Sequence, residues 1–248
     1  MLAIFLPTIG GKAQGGTSAC SRERPQDAVV DAVSADATLH LADGRAVKLA
    51  DIAIPEAGRP EALRRLTGLI GTPVRLNPIA NDRYGRFLAQ VAVKGAAPSL
   101  QESLVREGFA FVVPEVMDAA CVPALLAAER TARRDRAGIW DGALRIRQAD
   151  DPKLAAAVGT YALVEGRVLS VGTTQTNHYL NFGHDWSVDF TVMVPVSDLG
   201  SWEHESRDLD RLKGRRIRVR GLLESWNGVL VRVWNPAQIE PLEGEEDR

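Results

Sequence analysis

Arg216, Arg218 and Arg220 alternate with Ile217 and Val219, and the densest positive charge in the chain surrounds them. In a strand, that spacing sends three guanidinium groups to one face, away from the core. Arg207, Arg211, Lys213, Arg215 and Arg232 extend the cluster, and Trp226 and Trp234 lie close by. Cations beside aromatic planes suit a single strand of DNA or RNA, whose phosphates pair with arginine while its bases stack. Alternating arginine also protects an exposed sheet edge, and Glu203, Glu205, Asp208 and Asp210 offset part of the charge. A second candidate is the run Asn81, Asp82, Arg83, Tyr84, Gly85 and Arg86, which leads directly into an apolar stretch at 87–93. Gly85 permits a backbone geometry that larger residues resist. Arg86 is placed either to meet a phosphate or to pair with Glu56 or Asp82, and Tyr84 is counted with the nucleic-acid contacts.

Short β-strands must position these groups. Alternation at 28–34 and 37–41, a turn at 42–45 and a strand at 46–52 open the first unit. A helix at 60–70 and strands at 74–76 and 87–93 follow. Ser99 and Glu102 form a capping box for the next helix, and another helix runs over 123–136. Five strands with a helix between the third and fourth predict a five-stranded OB-type barrel. After a charged, Ala-rich stretch, strand signals recur at 161–171, 179–182, 188–194, 216–224 and 229–234, with room for a helix at 198–212. The expectation is a mainly β protein with helices (α+β), built as tandem OB-fold-like barrels. Its parts are an N-terminal arm or signal peptide at 1–25, a first barrel at 26–141 and a linker at 142–157. A second barrel at 158–242 and an acidic tail at 243–248 complete the chain. Tyr179, Asn181 and Trp186 are expected on the second barrel's surface. His178, His184 and His204 lack metal-ligand spacing.

In order and spacing, residues 26–141 resemble the staphylococcal nuclease (thermonuclease) family. The resemblance rests on the 38–56 hairpin ending in Ile54-Pro55-Glu56, the Asp82–Arg86 motif, the two later helices and Gly138-Ile139-Trp140. It implies phosphodiester hydrolysis with two aspartates on calcium, a glutamate beside the attacking water and two arginines on the phosphate. Carried over by position, Glu56 matches the glutamate, Arg86 one arginine and Lys48 the other, as catalytic candidates. Lysine keeps the charge but loses the bidentate fork. The two calcium aspartates fall on Ala37 and Ala53, which bring no side-chain oxygen to an ion that wants six or more. Asp36 and Asp51 lie next to those positions. With Glu56 they form either a displaced site for calcium or another divalent cation, or ordinary solvated acids. The implied function is an exported, nucleic-acid-binding protein with a degenerate calcium site and weak or absent cleavage. The alternative is an active metal-dependent endonuclease using a rearranged site.

The chain has 248 residues and a formal charge of −2, so any nucleic-acid surface must be a local patch. Its apolar first residues, followed by small ones near Ala13 and Gly15, read as a secretory signal without the usual positive flank. That points to the periplasm or the medium. Export would permit a disulfide between Cys20 and Cys121; otherwise these are two unrelated thiols. No apolar run is long enough to span a bilayer. Composition does not identify a protein partner.

Overall fold

The computed structural model describes residues 24–116, 121–185, 187–200, 202 and 207–242. In the first half the strands are β1 (Gln26–Val33), β2 (Leu39–Leu41), β3 (Ala46–Leu49), β4 (Ile52–Ala53), β5 (Pro73–Asn81), β6 (Phe87–Val93) and β7 (Phe111–Val112). The helices are α1 (Arg59–Thr67), α2 (Leu100–Arg106) and α3 (Pro123–Arg134). Five strands close a barrel in the order β1-β2-β3-β6-β5, with β3 and β6 parallel and the other pairs antiparallel. Alternation decides what points inward: Leu39, Leu41, Val47, Val74, Leu76, Ala89 and Val91 are buried, while His40 between two of them is exposed. Leu66 of α1, Leu104 of α2 and Leu125 of α3 plug the same core. Burying each such side chain fully stabilises by about 1.5–3 kcal/mol. Ser99 and Glu102 form the capping box read from the sequence, and α2 starts there.

The expected strand at 46–52 is two pieces. Asp51 adopts φ +58°, a left-handed conformation that aspartate tolerates better than most residues, and the chain turns there. β4 then leaves the barrel and pairs with β7. Asp51 and Ala53 therefore do not share a regular strand face.

The second half contains β8 (Arg147–Gln148), β9 (Tyr161–Arg167), β10 (Ser170–Thr173), β11 (Asn177–Asn181) and β12 (Thr191–Pro195). The one-turn α4 (Val196–Leu199) follows, then β13 (Arg216–Ser225), β14 (Val229–Arg232) and β15 (Ile239–Pro241). Neighbours run β10-β11-β12-β14-β13-β9, with β12 and β14 parallel. Only Val168 and Leu169 separate β9 from β10, and they pass the strand from one neighbour to the other. Val168 N donates to Arg215 O at 3.0 Å, and Leu169 N donates to Asn181 O at 2.8 Å. The path's two ends are thus one bent strand, and the connectivity repeats that of the first barrel. The sequence's single strand at 161–171 contains this bend, and its helix at 198–212 amounts to α4 and short turns among the described residues.

Residues 142–157 are integrated into the second barrel. β8 pairs in parallel with β9, and Leu154 and Ala157 sit in the second core. A third apolar cluster joins the halves, with Phe111, Val113, Ala132, Ile139 and Trp140 packed on Leu163 and Tyr161. The Phe111 and Tyr161 rings lie 5.7 Å apart.

Candidate functional site

The turn between β1 and β2 carries Asp36, and the parallel β3–β6 pairing brings Lys48 and Arg86 to the same end of the barrel. The Asp82 carboxylate shapes the loop before β6, its Oδ1 accepting from Tyr84 N at 2.8 Å and Arg86 N at 3.0 Å. Gly85, at φ +77°, completes that turn. Arg86 Nε then donates to Asp82 Oδ2 at 2.7 Å, and its Nη1 reaches Asp36 Oδ2 at 2.9 Å. Lys48 Nζ lies 3.1 Å from the same Asp36 oxygen and donates to the Asp36 carbonyl at 2.5 Å. Ser34 Oγ and Thr38 Oγ1 donate to the carboxylate at 2.7 and 3.0 Å. The Ser34 hydroxyl, then Thr38 and Lys48, hold the Asp36 carboxyl well below the usual range against the opposing effect of burial. Tyr84 is exposed, and the Arg83 and Arg86 guanidinium carbons stand 4.8 and 5.3 Å from its ring centroid.

A cleft of about 270 Å³ opens beside these groups, lined by Asp36, Ala37, Lys48, Ile52, Ala53 and Arg59 among others. Ala37 and Ala53, onto which the resemblance places the two calcium aspartates, both line it. Ala37 itself is buried, at φ +60°.

Among the described residues Asp36, Asp51 and Glu56 are not grouped as a metal site. Asp51 is buried and turned to the 113–116 segment, where its Oδ1 accepts from Glu115 N at 2.5 Å and Val116 N at 2.9 Å. Its carboxylate is occupied as a loop brace. Glu56 is exposed at the start of a short 3-10 turn and does not line the cleft. Asp36 already faces two cations. Among the described residues no three His, Cys, Asp or Glu side chains are grouped to hold a metal. Calcium's demand for six or more oxygens is not met by this donor set. Of the first-barrel candidates, Asp36, Lys48, Arg86 and Tyr84 come together, whereas Asp51 and Glu56 do not join them.

Residues 46–142 match the family described as staphylococcal nuclease homologue. That stretch is a staphylococcal-nuclease-type domain. Its match starts at β3 and ends just past Trp140, so β1 and β2, which bring Asp36 and Ala37, complete the barrel from outside it. The second barrel also lies beyond the match. No curated protein matches the chain. Members of this family depend on calcium in general.

The arginine stripe of β13 is not the surface that its alternation predicts. Arg216 is exposed, but Arg218 and Arg220 are buried. Arg220 leaves the second barrel and enters the nuclease-type domain. Its Nη1 and Nη2 donate to Glu129 Oε2 and Oε1, both at 3.0 Å, and Nη1 also donates to the Val112 carbonyl at 3.0 Å. Glu240 accepts from Arg220 as well. Arg218 donates through Nε and Nη2 to Glu165 Oε1 at 2.9 and 2.6 Å. Burial lowers the Arg220 pKa, but Glu129 and Glu240 raise it further, so the guanidinium stays charged. Arg220 is therefore structural, and Arg218 spends two of its three nitrogens on Glu165.

Sequence reasoning missed Glu129, Glu165, Glu240 and Arg133. A signal existed: Glu165 interrupts the apolar run of β9, and Glu240 lies between Ile239 and Pro241. Both stand in register with Arg218 across three strands. Trp226 is exposed and, with Tyr179 and Asn181, lines a cleft of about 400 Å³ on the second barrel. The Trp234 carbonyl accepts from Trp202 Nε1 at 2.9 Å. Cys121 is buried before α3 and is disulfide-bonded. Its expected partner Cys20 lies outside the described residues, as do the signal stretch, Trp186, His204 and the acidic tail.

Proposed function

We propose that this is an exported nucleic-acid-binding protein whose calcium-dependent phosphodiester hydrolysis is weak or absent. One observation carries the reading: Asp36, the acid on the cleft wall, is held between Lys48 and Arg86, while Asp51 is spent on the 113–116 loop. Hydrolysis needs an oriented water and charge neutralisation at the phosphate, and the metal that supplies both in this family has too few oxygens to hold it. Binding needs less. Lys48 and Arg59 line the cleft, Arg86 stands beside it on Asp36, and exposed Tyr84 offers a plane for a base. A phosphate reaching Arg86 Nη1 must displace Asp36, which limits affinity. Export is supported by the apolar N-terminal sequence and by a disulfide at Cys121, a bond that persists in oxidising compartments.

The test uses the full chain on labelled single-stranded DNA with calcium or with chelator. Expected are salt-sensitive binding, weakened by Arg86→Gln together with Lys48→Gln, and little or no calcium-dependent cleavage. Vigorous calcium-dependent cleavage that Arg86→Ala abolishes would overturn the proposal.

A further inference from the structure

A groove of about 1420 Å³ lies between α3 and the sheet formed by β8, β9, β13 and β15. It joins the nuclease-type domain to the second barrel and is separate from the cleft at Asp36. Six arginines line it, Arg130, Arg133, Arg134, Arg136, Arg216 and Arg218, against two acids, Glu165 and Glu240, and none of its cations is lysine. Four arginines form an exposed rim: Arg130, Arg134, Arg136 and Arg216 have side-chain exposures of 49, 71, 75 and 43%.

Arg133 and Arg218 form the floor, with side chains only 10 and 3% exposed. Arg133 Nη1 donates to Glu129 at 2.9 Å, and Arg218 spends Nε and Nη2 on Glu165. Arg133 Nη2 and Arg218 Nη1 are buried without a hydrogen-bond partner among the described residues. Each stands 3.8 Å from Glu240 Oε2, which is ion-pair range but too long for a hydrogen bond. Unspent buried donors are costly and call for an acceptor. Planar guanidinium donors match phosphate oxygens better than ammonium groups do.

We propose that this groove is a second nucleic-acid site that clamps the phosphodiester backbone of a strand between the two barrels. The proposal rests on the nucleic-acid-binding reading above. Among the described residues no aromatic side chain lines the groove, so it grips phosphates without reading bases. Binding there is sequence-independent and falls steeply with salt, because each neutralised phosphate releases counterions.

The experiment compares three full-length proteins: wild type, a rim variant (Arg130→Gln, Arg134→Gln, Arg136→Gln, Arg216→Gln) and a cleft variant (Lys48→Gln, Arg86→Gln). The probe is fluorescein-labelled oligodeoxythymidine titrated at several salt concentrations, and circular dichroism checks folding. Arg216→Gln alone is a second groove variant should the quadruple variant fold poorly. The rim variant is expected to bind at least ~10-fold more weakly, with a salt slope shallower by about 0.7 for each phosphate that it no longer neutralises. Arg216→Gln should flatten the slope by about one such step. A folded rim variant that matches wild type in affinity and slope, while the cleft variant loses affinity, overturns the groove site and leaves the nucleic-acid reading standing. Absence of any wild-type binding overturns both. If the rim variant loses affinity for polyglutamate but not for the oligonucleotide, the groove is a seat for an acidic protein and the proposal falls.

Discussion

Separating Arg220 from Glu129 should loosen the two barrels from each other. The pair is fully buried, bidentate and spans the junction, and Glu129 Oε2 also accepts from Val112 N at 2.7 Å. Removing one partner of a buried pair costs about 3–5 kcal/mol, because the remaining charge stays buried without compensation. Arg220 would keep Glu240 and the Val112 carbonyl, which places Glu129→Gln near the lower end, about 3 kcal/mol. Glutamine retains an acceptor for Val112 N, so the loss reports on charge and on the second guanidinium bond. Arg220→Met fills similar volume and leaves Glu129 with only Val112 N at 2.7 Å and Arg133 Nη1 at 2.9 Å among its described partners. The double variant should be less destabilised than the two singles added together, with a coupling of about 2–3 kcal/mol. Urea unfolding of the full chain, followed by circular dichroism and tryptophan fluorescence, measures all four corners. Trp140 sits in the apolar cluster that joins the barrels, so fluorescence reports on their junction. Additivity within ~0.5 kcal/mol would refute the claim that this pair fastens the barrels.

Three further outcomes are expected. Burial works to raise the Glu240 pKa, but Arg220, Arg133 and Arg218 outweigh it, so the folded value lies below the ordinary 4.5. Stability from Glu240 is therefore complete above that ordinary value and lost as pH falls through the lower folded value; Glu240→Gln should shrink this acid-side fall in the urea midpoint, and an unchanged fall would contradict the assignment. Ala37→Asp combined with Ala53→Asp should create calcium affinity measurable by calorimetry, since both side chains face the cleft; no gain would mean that the deficit lies elsewhere. Gly108→Ala should destabilise by more than about 2 kcal/mol in the same urea assay, since a Cβ would sit 2.1 Å from the Ala137 carbonyl oxygen at φ +72°, and near-wild-type stability would show that this contact gives way.

Local pattern determined much of this protein. Alternation in β1, β2, β5 and β6 and the Ser99–Glu102 box are short-range features, because strand periodicity and helix capping depend on residues a few positions apart. The family match at 46–142 was legible for the same reason: residue identity in a recognisable frame needs no coordinates. The sequence also placed Lys48 and Arg86 as candidates, but the parallel pairing of β3 with β6 set them around Asp36. The placement of Asp51 was not legible, because a left-handed turn at that residue interrupts the strand and alternation then assigns it no face. Arg218 and Arg220 show the deeper limit. Alternation says which residues share a side of β13, but not what another element lays against that side. Arg220 meets a glutamate 91 residues away in sequence, and Arg218 meets one 53 away. Whether a charged side chain faces water or a buried partner is decided by these long-range contacts, because burying a charge is tolerable only where the fold delivers an opposite charge to the same place.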